Sequence, residues 1–381
     1  MRNVICSPRI AGTPGVFFWR ARAESLTSGA IFRADGSNTL GLGHVMRLVA
    51  FAHSFADRGI RPVFIYREDP APIEAMIHKA GFAAKALPAS LHGDAELRFT
   101  EDQARQAGAR VVVTDVSHKW SLQDPDSLRR YHRWLSDRFF TICLAGNKIV
   151  DFPAQVVISP YAGLEKMDRT ALPKGTVQLL GPQYQILRPE FIAAARTPRP
   201  ISPDGRKLLI CLGGGDDLNF TEKSVRALLS LKRSDIELDL FLGPAYSGKF
   251  RGGLQASLDR LPGAYRLHPP TDNVAEAMMG CDLAVINDGV TKYEAAATGT
   301  PAVMLSRFDS EKVLNQEFER AGSVLHAGDG SDVSVENLSV LIQDLLANDQ
   351  QRRRMSEAGR RLVDGHGNER ILEMIPKEVL R

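Results

Sequence analysis

Arg33-Ala34-Asp35-Gly36-Ser37-Asn38-Thr39-Leu40-Gly41-Leu42-Gly43-His44-Val45-Met46-Arg47 stands between two segments of different periodicity. Before it, Gly29-Ala30-Ile31-Phe32 reads as the end of a short apolar strand. After it, Leu48-Val49-Ala50-Phe51-Ala52-His53-Ser54-Phe55-Ala56 has the spacing of a helix with one apolar face. A strand, a glycine-bearing turn and a helix, in that order, open a doubly wound α/β domain. The turn lies at the carboxyl end of the strand, where open parallel sheets bind ligands. Gly41 and Gly43 let the backbone approach a ligand closely, and N–H groups at the helix start favour an anion. His44, directly after the second glycine, is either a base or an ordinary surface or capping residue. Arg33 and Asp35 read equally well as substrate contacts or as a structural ion pair.

Working outward, the first half alternates strands and helices. Arg61–Tyr66 is a candidate second strand, followed by a helix from Pro72 to Ala80 and a Gly81 stop. Phe99–Ala107 reads as a helix opened by a capping threonine, Thr100. Arg110-Val111-Val112-Val113-Thr114-Asp115 is an apolar run closed by an acid, the pattern of a central parallel strand. Leu122–Asp137 is helical in composition, and Phe139–Leu144 and Gln155–Pro160 are further strands.

Composition then shifts. Arg196–Gly205 carries Pro198, Pro200 and Pro203 and little that could enter a core, which marks an interdomain linker. Beyond it the grammar restarts. Lys207–Leu212, Ile236–Leu242, Tyr265–His268, Leu283–Ile286 and Ala302–Leu305 read as strands, interleaved with helices at Asn219–Leu231, Val274–Met279 and Lys292–Thr298. The reading is an α/β protein of two Rossmann-like domains with parallel sheets facing across a cleft. Residues 29–195 form the first domain, 196–206 the linker and 207–381 the second, whose last helix packs back on the first. Residues 1–28 show no clear period and read as a loosely packed or disordered extension.

At 381 residues the chain is long enough for two full cores. Its 24% charged and 44% hydrophobic residues are those of an ordinary globular protein, and a net charge of +3 does not point to nucleic acid. Arg352-Arg353-Arg354 reads as a solvated helix face. The four cysteines, Cys6, Cys143, Cys211 and Cys281, lack metal-type spacing and read as small buried residues in a reducing compartment. No apolar run approaches the ~20 residues of a membrane span. The nine histidines are dispersed, so no metal set is expected.

Two more loops at strand ends carry chemical interest. In Gly213-Gly214-Gly215-Asp216-Asp217-Leu218-Asn219, three glycines after a strand fit either a phosphate-side loop or a plain tight turn, and Asn219 is placed to cap the next helix. It is not a P-loop, since no Gly-Lys-Ser/Thr follows. In Asn287-Asp288-Gly289-Val290-Thr291-Lys292-Tyr293-Glu294, the helix start can present the N–H groups of Gly289, Val290 and Thr291 to a diphosphate. Glu294, one turn inside that helix, is within reach of a sugar's vicinal hydroxyls. The plainer alternatives are a solvent-facing Glu294 and an Asp288 that caps the helix.

In order along the chain stand Phe32–Ser37 with Gly41-Leu42-Gly43-His44-Val45-Met46-Arg47, then Leu180-Gly181-Pro182-Gln183-Tyr184 with Leu187-Arg188-Pro189-Glu190-Phe191, then Gly213–Asp216 with Asn219. Gly289, Thr291, Glu294, Gly299 and Pro301 follow, then Asn315-Gln316, and finally Val363-Asp364-Gly365-His366-Gly367 with Arg370. This series resembles the nucleotide-sugar hydrolase family of pseudaminic acid biosynthesis, whose substrate is UDP-2,4-diacetamido-2,4,6-trideoxy-β-L-altropyranose. The resemblance runs from about Gly29 to the C-terminus.

It implies a GT-B type fold, related to the UDP-GlcNAc transferase of peptidoglycan synthesis, and removal of UDP by attack of water at the anomeric carbon without metal or cofactor. His44 matches the family's catalytic base, with Arg33, Asp35, Gly41, Gly43 and Asp115 on the substrate side. The nucleotide side comprises Gly213, Gly214, Gly215, Asn219, Asp288, Gly289, Val290, Thr291, Glu294, Asn315 and Gln316. Three places depart from the family pattern: Ser117 stands where a tyrosine is usual, Leu144-Ala145-Gly146-Asn147-Lys148 replaces an acidic segment, and Asp288-Gly289 replaces glycine-glycine. The expectation is a cytoplasmic, monomeric enzyme acting on a UDP-sugar, with no nucleic acid partner and no membrane span. A GT-B glycosyltransferase with a hydroxyl acceptor is the alternative, and a non-catalytic nucleotide-sugar binder ranks third.

Overall fold

The computed structural model describes residues 28–36, 42–67, 73–116, 125–146, 152–166, 175–243, 246–269, 273–307 and 312–380. The first parallel sheet comprises β1 (Gly29–Ala34), β2 (Arg61–Arg67), β3 (Ala83–Leu87), β4 (Ala109–Asp115), β5 (Phe140–Leu144), β6 (Val156–Ser159) and β7 (Val177–Leu180). Its helices are α1 (Gly43–Ala56), α2 (Ile73–Lys79), α3 (Asp94–Gln106) and α4 (Pro125–Ser136). After α5 (Pro189–Ala195) the second parallel sheet is built from β8 (Lys207–Cys211), β9 (Glu237–Phe241), β10 (Ala264–His268), β11 (Leu283–Asn287), β12 (Ala302–Ser306) and β13 (Leu325–Asp329). With it run α6 (Phe220–Leu231), α7 (Arg251–Leu258), α8 (Val274–Gly280), α9 (Thr291–Thr298), α10 (Lys312–Arg320), α11 (Val335–Ala347) and α12 (Asp349–Leu362). The short helices α13 (Gly367–Leu372) and α14 (Lys377–Leu380) close the chain.

Strand order decides where a ligand can sit. The sheets run β3-β2-β1-β4-β5-β6-β7 and β10-β9-β8-β11-β12-β13, so each reverses its winding beside its own first strand. A crevice opens at such a switch point, beyond the carboxyl ends of the strands. In the first sheet it lies between β1 and β4, where Ala34 pairs with Asp115; in the second it lies between β8 and β11, where Cys211 pairs with Ile286. All three loops singled out in the sequence emerge at these two points.

The opening strand–turn–helix unit is held by aromatic packing. Phe32 stacks on Phe64 at 5.3 Å between centroids and meets Phe55 edge-on at 5.1 Å. Helix α1 buries Val45, Leu48, Val49, Ala52 and Phe55, the i, i+3, i+4, i+7 stripe its sequence promised. Losing one of these fully buried rings costs about 3–5 kcal/mol, so the turn between β1 and α1 is anchored at both ends.

Several local expectations are corrected. Thr100 does not cap a helix: α3 begins six residues earlier, at Asp94, and the Thr100 hydroxyl donates back to the Glu96 carbonyl at 3.0 Å. Strands β3, β7 and β13 escaped the sequence reading; β3 lies at a sheet edge, half-exposed, where no apolar run is needed. Arg352 is not on a solvated face but fully buried. Its guanidinium donates to the Leu345 and Leu346 carbonyls that end α11 and to Ser202 and Pro203 of the linker. Arginines of α12 therefore tie down a linker that has few apolar side chains to do so. Cys143, Cys211 and Cys281 are buried free thiols, pushed up by burial to about 12, 11 and 11; Cys6 lies outside the described residues.

The C-terminal helices pack on the first sheet, not the second. Ile371, Leu372 and Ile375 share a core cluster with Phe32, Phe51 and Phe55. Asn368 pairs with Leu187 as a strand would, accepting from its N–H at 3.0 Å and donating to its carbonyl at 3.2 Å. Ser28, at the edge of the expected extension, is buried and donates to the Leu380 carbonyl; residues 1–27 lie outside the described residues.

Candidate functional site

Asp115 ends β4 at the first switch point and is almost wholly buried, with 1% of its side chain exposed. His44, on the first turn of α1, places Nδ1 2.7 Å from Asp115 Oδ1. Arg47, three residues on and so on the same helix face, forks onto the carboxylate with Nε to Oδ2 and Nη2 to Oδ1, both at 2.8 Å. Burial alone would raise the Asp115 carboxyl, but the Arg47 charge and the His44 hydrogen bond outweigh it and hold the carboxyl below its usual range. An ionised acceptor at Nδ1 fixes the tautomer that keeps the proton there and leaves Nε2 as a free lone pair. The His44 side chain is 28% exposed among the described residues. The arrangement fixes the imidazole between α1 and the end of β4.

Asp115, read from the sequence as a substrate-side residue, has its carboxylate taken up by His44 and Arg47. Arg33 is likewise corrected. Its side chain has no exposed surface and pairs with Asp35 and with Glu96 at 2.9 Å, so it holds neighbours and does not face a ligand. Asp35 is different, because its Oδ1 takes the Arg33 bond while Oδ2 is buried without a partner among the described residues. Gly43 opens α1 on the exposed side, whereas Gly41 and Ser117 lie outside the described residues.

At the second switch point Gly213 adopts φ +77°, and a Cβ there would meet the Asn287 amide at 3.0 Å. Asn287 ties the two loops together: its Nδ2 donates to the Leu212 carbonyl, and its Oδ1 accepts the Gly289 N–H at 3.2 Å. Gly214 and Gly215 lie at the surface beyond it. Asn219 is not the cap of α6. It sits in the left-handed region at φ 56°, and Asp216 caps the helix instead, accepting from Phe220 N at 2.8 Å and Thr221 N at 2.7 Å. Helix α6 therefore meets its own carboxylate. Helices α1 and α9, which follow β1 and β11 at the two switch points, have no side-chain cap among the described residues, so their N-termini can take an outside anion.

Val290 and Thr291 stand at that open end of α9, Val290 half-exposed and Thr291 buried. Asp288 and Asn315 are not at the surface. Asp288, 2% exposed, accepts from Arg307 N and Asn315 Nδ2, and Asn315, fully buried, also donates to Ser306 and accepts from Lys292 Nζ at 2.8 Å. They brace the loop from beneath. Gln316 accepts from Arg320 at 3.4 Å. Glu294 is no solvent-facing helix residue: it is 8% exposed, and Oε1 accepts from Arg188 Nε at 3.1 Å and Nη2 at 2.9 Å. Burial pushes its carboxyl up while Arg188 opposes the push. Both bonds land on Oε1, which leaves Oε2 for a donor from outside.

The two halves meet through the segment after β6. Tyr161 lies against Arg47 on one side and meets Tyr293 of α9 edge-on at 6.5 Å on the other. Among the described residues no three His, Cys, Asp or Glu side chains are grouped to hold a metal ion, and no helix is long and apolar enough to cross a membrane.

No family model matches the chain. It is 24% identical over 347 residues to the spore coat polysaccharide biosynthesis protein SpsG of Bacillus subtilis (strain 168), an alignment covering 90% of this chain and 96% of that one. A 31% identity over 186 residues links it to the UDP-N-acetylglucosamine–N-acetylmuramyl-(pentapeptide) pyrophosphoryl-undecaprenol N-acetylglucosamine transferase of Salinibacter ruber, covering 47% of this chain and 48% of that one. The crystal structure of MurG from Acinetobacter baumannii matches 92% of this chain and 99% of its own, with a TM-score of 0.64 and 15% identity. The chain has the GT-B fold.

Within this GT-B frame, sequence reasoning missed Arg47, Tyr161, Arg188 and Asn287, which position the residues it found. The signal for Arg47 was present, three residues after His44 on one helix face. Arg188 stands in the quoted Leu187–Phe191 motif but only its contact with Glu294 gives it a place, and Tyr161 carries no local signal, because its ring contact is with Tyr293 of the second half.

Proposed function

We propose that this protein is a nucleotide-sugar hydrolase that releases UDP from a UDP-linked diacetamido-trideoxyhexose, in nonulosonic acid or surface polysaccharide biosynthesis. The observation that carries the reading is the His44–Asp115 pair at the β1/β4 switch point, 2.7 Å apart with a partly exposed imidazole. Water attacks the anomeric carbon as His44 Nε2 takes its proton. The bond from that carbon to the UDP oxygen breaks, and its electron pair leaves with the nucleotide. Asp115 stabilises the imidazolium that forms, as an oriented carboxylate does in hydrolytic triads.

On the nucleotide side, the Gly213–Gly215 turn and the start of α9 hold the diphosphate by N–H groups, those of Val290 and Thr291 on α9, while Gly289 keeps its N–H on Asn287 and lets the backbone approach closely. Glu294 Oε2 accepts from the ribose hydroxyls. Asp35 Oδ2 accepts from a donor on the sugar, since a buried carboxylate oxygen without a partner is costly until something donates to it. The Bacillus relative's name, with polysaccharide biosynthesis in it, and the UDP-N-acetylglucosamine in the Salinibacter relative's name support this substrate class.

The Salinibacter relative is a transferase by name, and this favours a second reading, a GT-B glycosyltransferase in which His44 deprotonates an acceptor hydroxyl. One experiment separates the two. The protein is incubated with a panel of UDP- and other nucleotide-linked amino sugars without acceptor, and released nucleotide is followed by chromatography. Release in water alone, lost in His44→Gln, supports the hydrolase; release only when a hydroxyl acceptor is added supports the transferase. Tight UDP binding with no turnover under either condition leaves a binding protein.

A further inference from the structure

We propose that Tyr161 is a positioning residue that ties the His44–Asp115 pair to the nucleotide-holding helix α9. It stands on the segment Pro160–Lys166 that follows β6, and this segment belongs to the first sheet by chain and to the second by packing. Ala162 is buried in the same core cluster as Tyr293 and Phe318. Gly163, at φ +94°, lies where a Cβ would touch Glu317 Cγ at 3.0 Å, and Lys166 pairs with Glu317 of α10. Three successive contacts therefore seat the segment on α9 and α10.

From that seat Tyr161 reaches back to the base. Its ring meets Tyr293 edge-on at 88°, and Tyr293 is itself locked edge-on against Phe318 at 4.8 Å. Its phenol faces Arg47, whose fork holds both oxygens of Asp115, and Asp115 in turn holds His44 Nδ1. A planar guanidinium forked onto a carboxylate has one good orientation, so whatever sets the plane of Arg47 sets the line from Asp115 to His44. Tyr293 is the residue before Glu294. A nucleotide that loads the start of α9 thus acts on the ring against which Tyr161 rests. A misplacement of about 1 Å at a catalytic group costs about a hundredfold in rate, which gives such a strut a reason to exist.

This inference rests on the reading that α9 holds the nucleotide, and its test separates the two. The full chain is labelled with 15N-histidine, the His44 ring resonances are assigned with His44→Gln, and UDP is titrated into wild type, Tyr161→Phe and Tyr161→Leu. Tyr161→Phe removes only the phenol and keeps the ring on Tyr293; Tyr161→Leu removes both links. Saturating UDP displaces the His44 resonances in wild type, by less than half as much in Tyr161→Phe and not at all in Tyr161→Leu. The UDP affinity of both variants stays within about twofold of wild type, as for a residue distant from the ligand. Equal displacement in all three proteins, with UDP bound, overturns the role of Tyr161. Failure of wild type to bind UDP overturns the nucleotide reading of α9 and the strut with it.

Discussion

Arg188, at the start of α5, reaches Glu294 on α9 with Nη2 2.9 Å from Oε1, so a residue beside the linker fixes the carboxylate assigned to the ribose. Arg188 is itself held by stacking on Phe191 at 4.6 Å and by Glu190 at 3.0 Å. One face of the guanidinium lies on the Phe191 ring, and its nitrogens are shared between Glu190 and Glu294.

That pairing makes the nucleotide affinity depend on a residue that touches no nucleotide in our reading. Arg188→Met leaves a buried carboxylate without its counter-charge, and burial then drives it toward the protonated form. A protonated Glu294 loses the charge-assisted bonds to hydroxyls, which are worth about 1.5–3 kcal/mol. UDP binding by calorimetry is expected to weaken about tenfold in Arg188→Met and by at least as much in Glu294→Gln. An unchanged dissociation constant in both variants removes Glu294 from the ribose.

The base and its partner are expected to fail together. Asp115→Asn keeps the shape but replaces an ionised acceptor by an amide, so Nδ1 of His44 no longer holds its proton by default and Arg47 loses its counter-ion. Turnover should drop about a hundredfold or more with KM little changed, and His44→Gln should fall at least as far. The double variant should be scarcely worse than the poorer single one, as for residues that act as a unit. Full additivity of the two losses in steady-state UDP release would separate the residues.

Much of this was legible in the sequence because it is local. The strand–glycine turn–helix grammar of Gly29–Ala56 and of Lys207–Leu231 is written in periodicity, and both switch points follow once the strands are ordered. In the candidate site, sequence spacing singles out the glycine turns and His44, whereas the contact of His44 with Asp115 joins residues far apart in the chain. Arg33, Asp288 and Asn315 stand in the right loops but face inward, and one-dimensional spacing does not distinguish a carboxylate that meets a ligand from one that braces a loop. Asp216 and Asn219 show the same limit: both are capping residue types three apart, and only the backbone at Asn219 decides between them.

Arg352 gives a stability test away from the site. Its fully buried guanidinium satisfies the last carbonyls of α11 and two carbonyls of the linker. Arg352→Met keeps the stem and removes every donor, so the Leu346 carbonyl and the linker carbonyls lose their guanidinium partner, while Leu345 keeps only the Asn348 N–H. A loss of about 2–4 kcal/mol is expected, read as a lower urea midpoint, whereas Arg354→Met should be near neutral. Equal effects of the two would restore the solvated-face reading of the arginine run.

His132 predicts how stability depends on pH. It lies fully buried on α4, its Nδ1 2.9 Å from the Leu128 carbonyl and its Nε2 3.0 Å from the Thr114 hydroxyl, with Phe152 stacked on the ring at 4.6 Å. Nδ1 must donate to that carbonyl, so Nε2 accepts from Thr114 and the ring is neutral. Burial lowers its pKa to about 4, against the weaker opposing pull of Leu128. The unfolded ring titrates near 6.5. Between those values the unfolded chain binds a proton that the folded chain refuses, so stability falls as pH drops from about 6.5 to about 4. The loss should reach about 3 kcal/mol across that window. Urea unfolding at pH 7, 6, 5 and 4.5 is expected to show a steeper decline in wild type than in His132→Gln, because the carboxylates that also titrate there are common to both proteins. Parallel curves would mean that His132 takes up its proton without leaving the fold, and the Thr114 hydroxyl would then have to accept where it now donates.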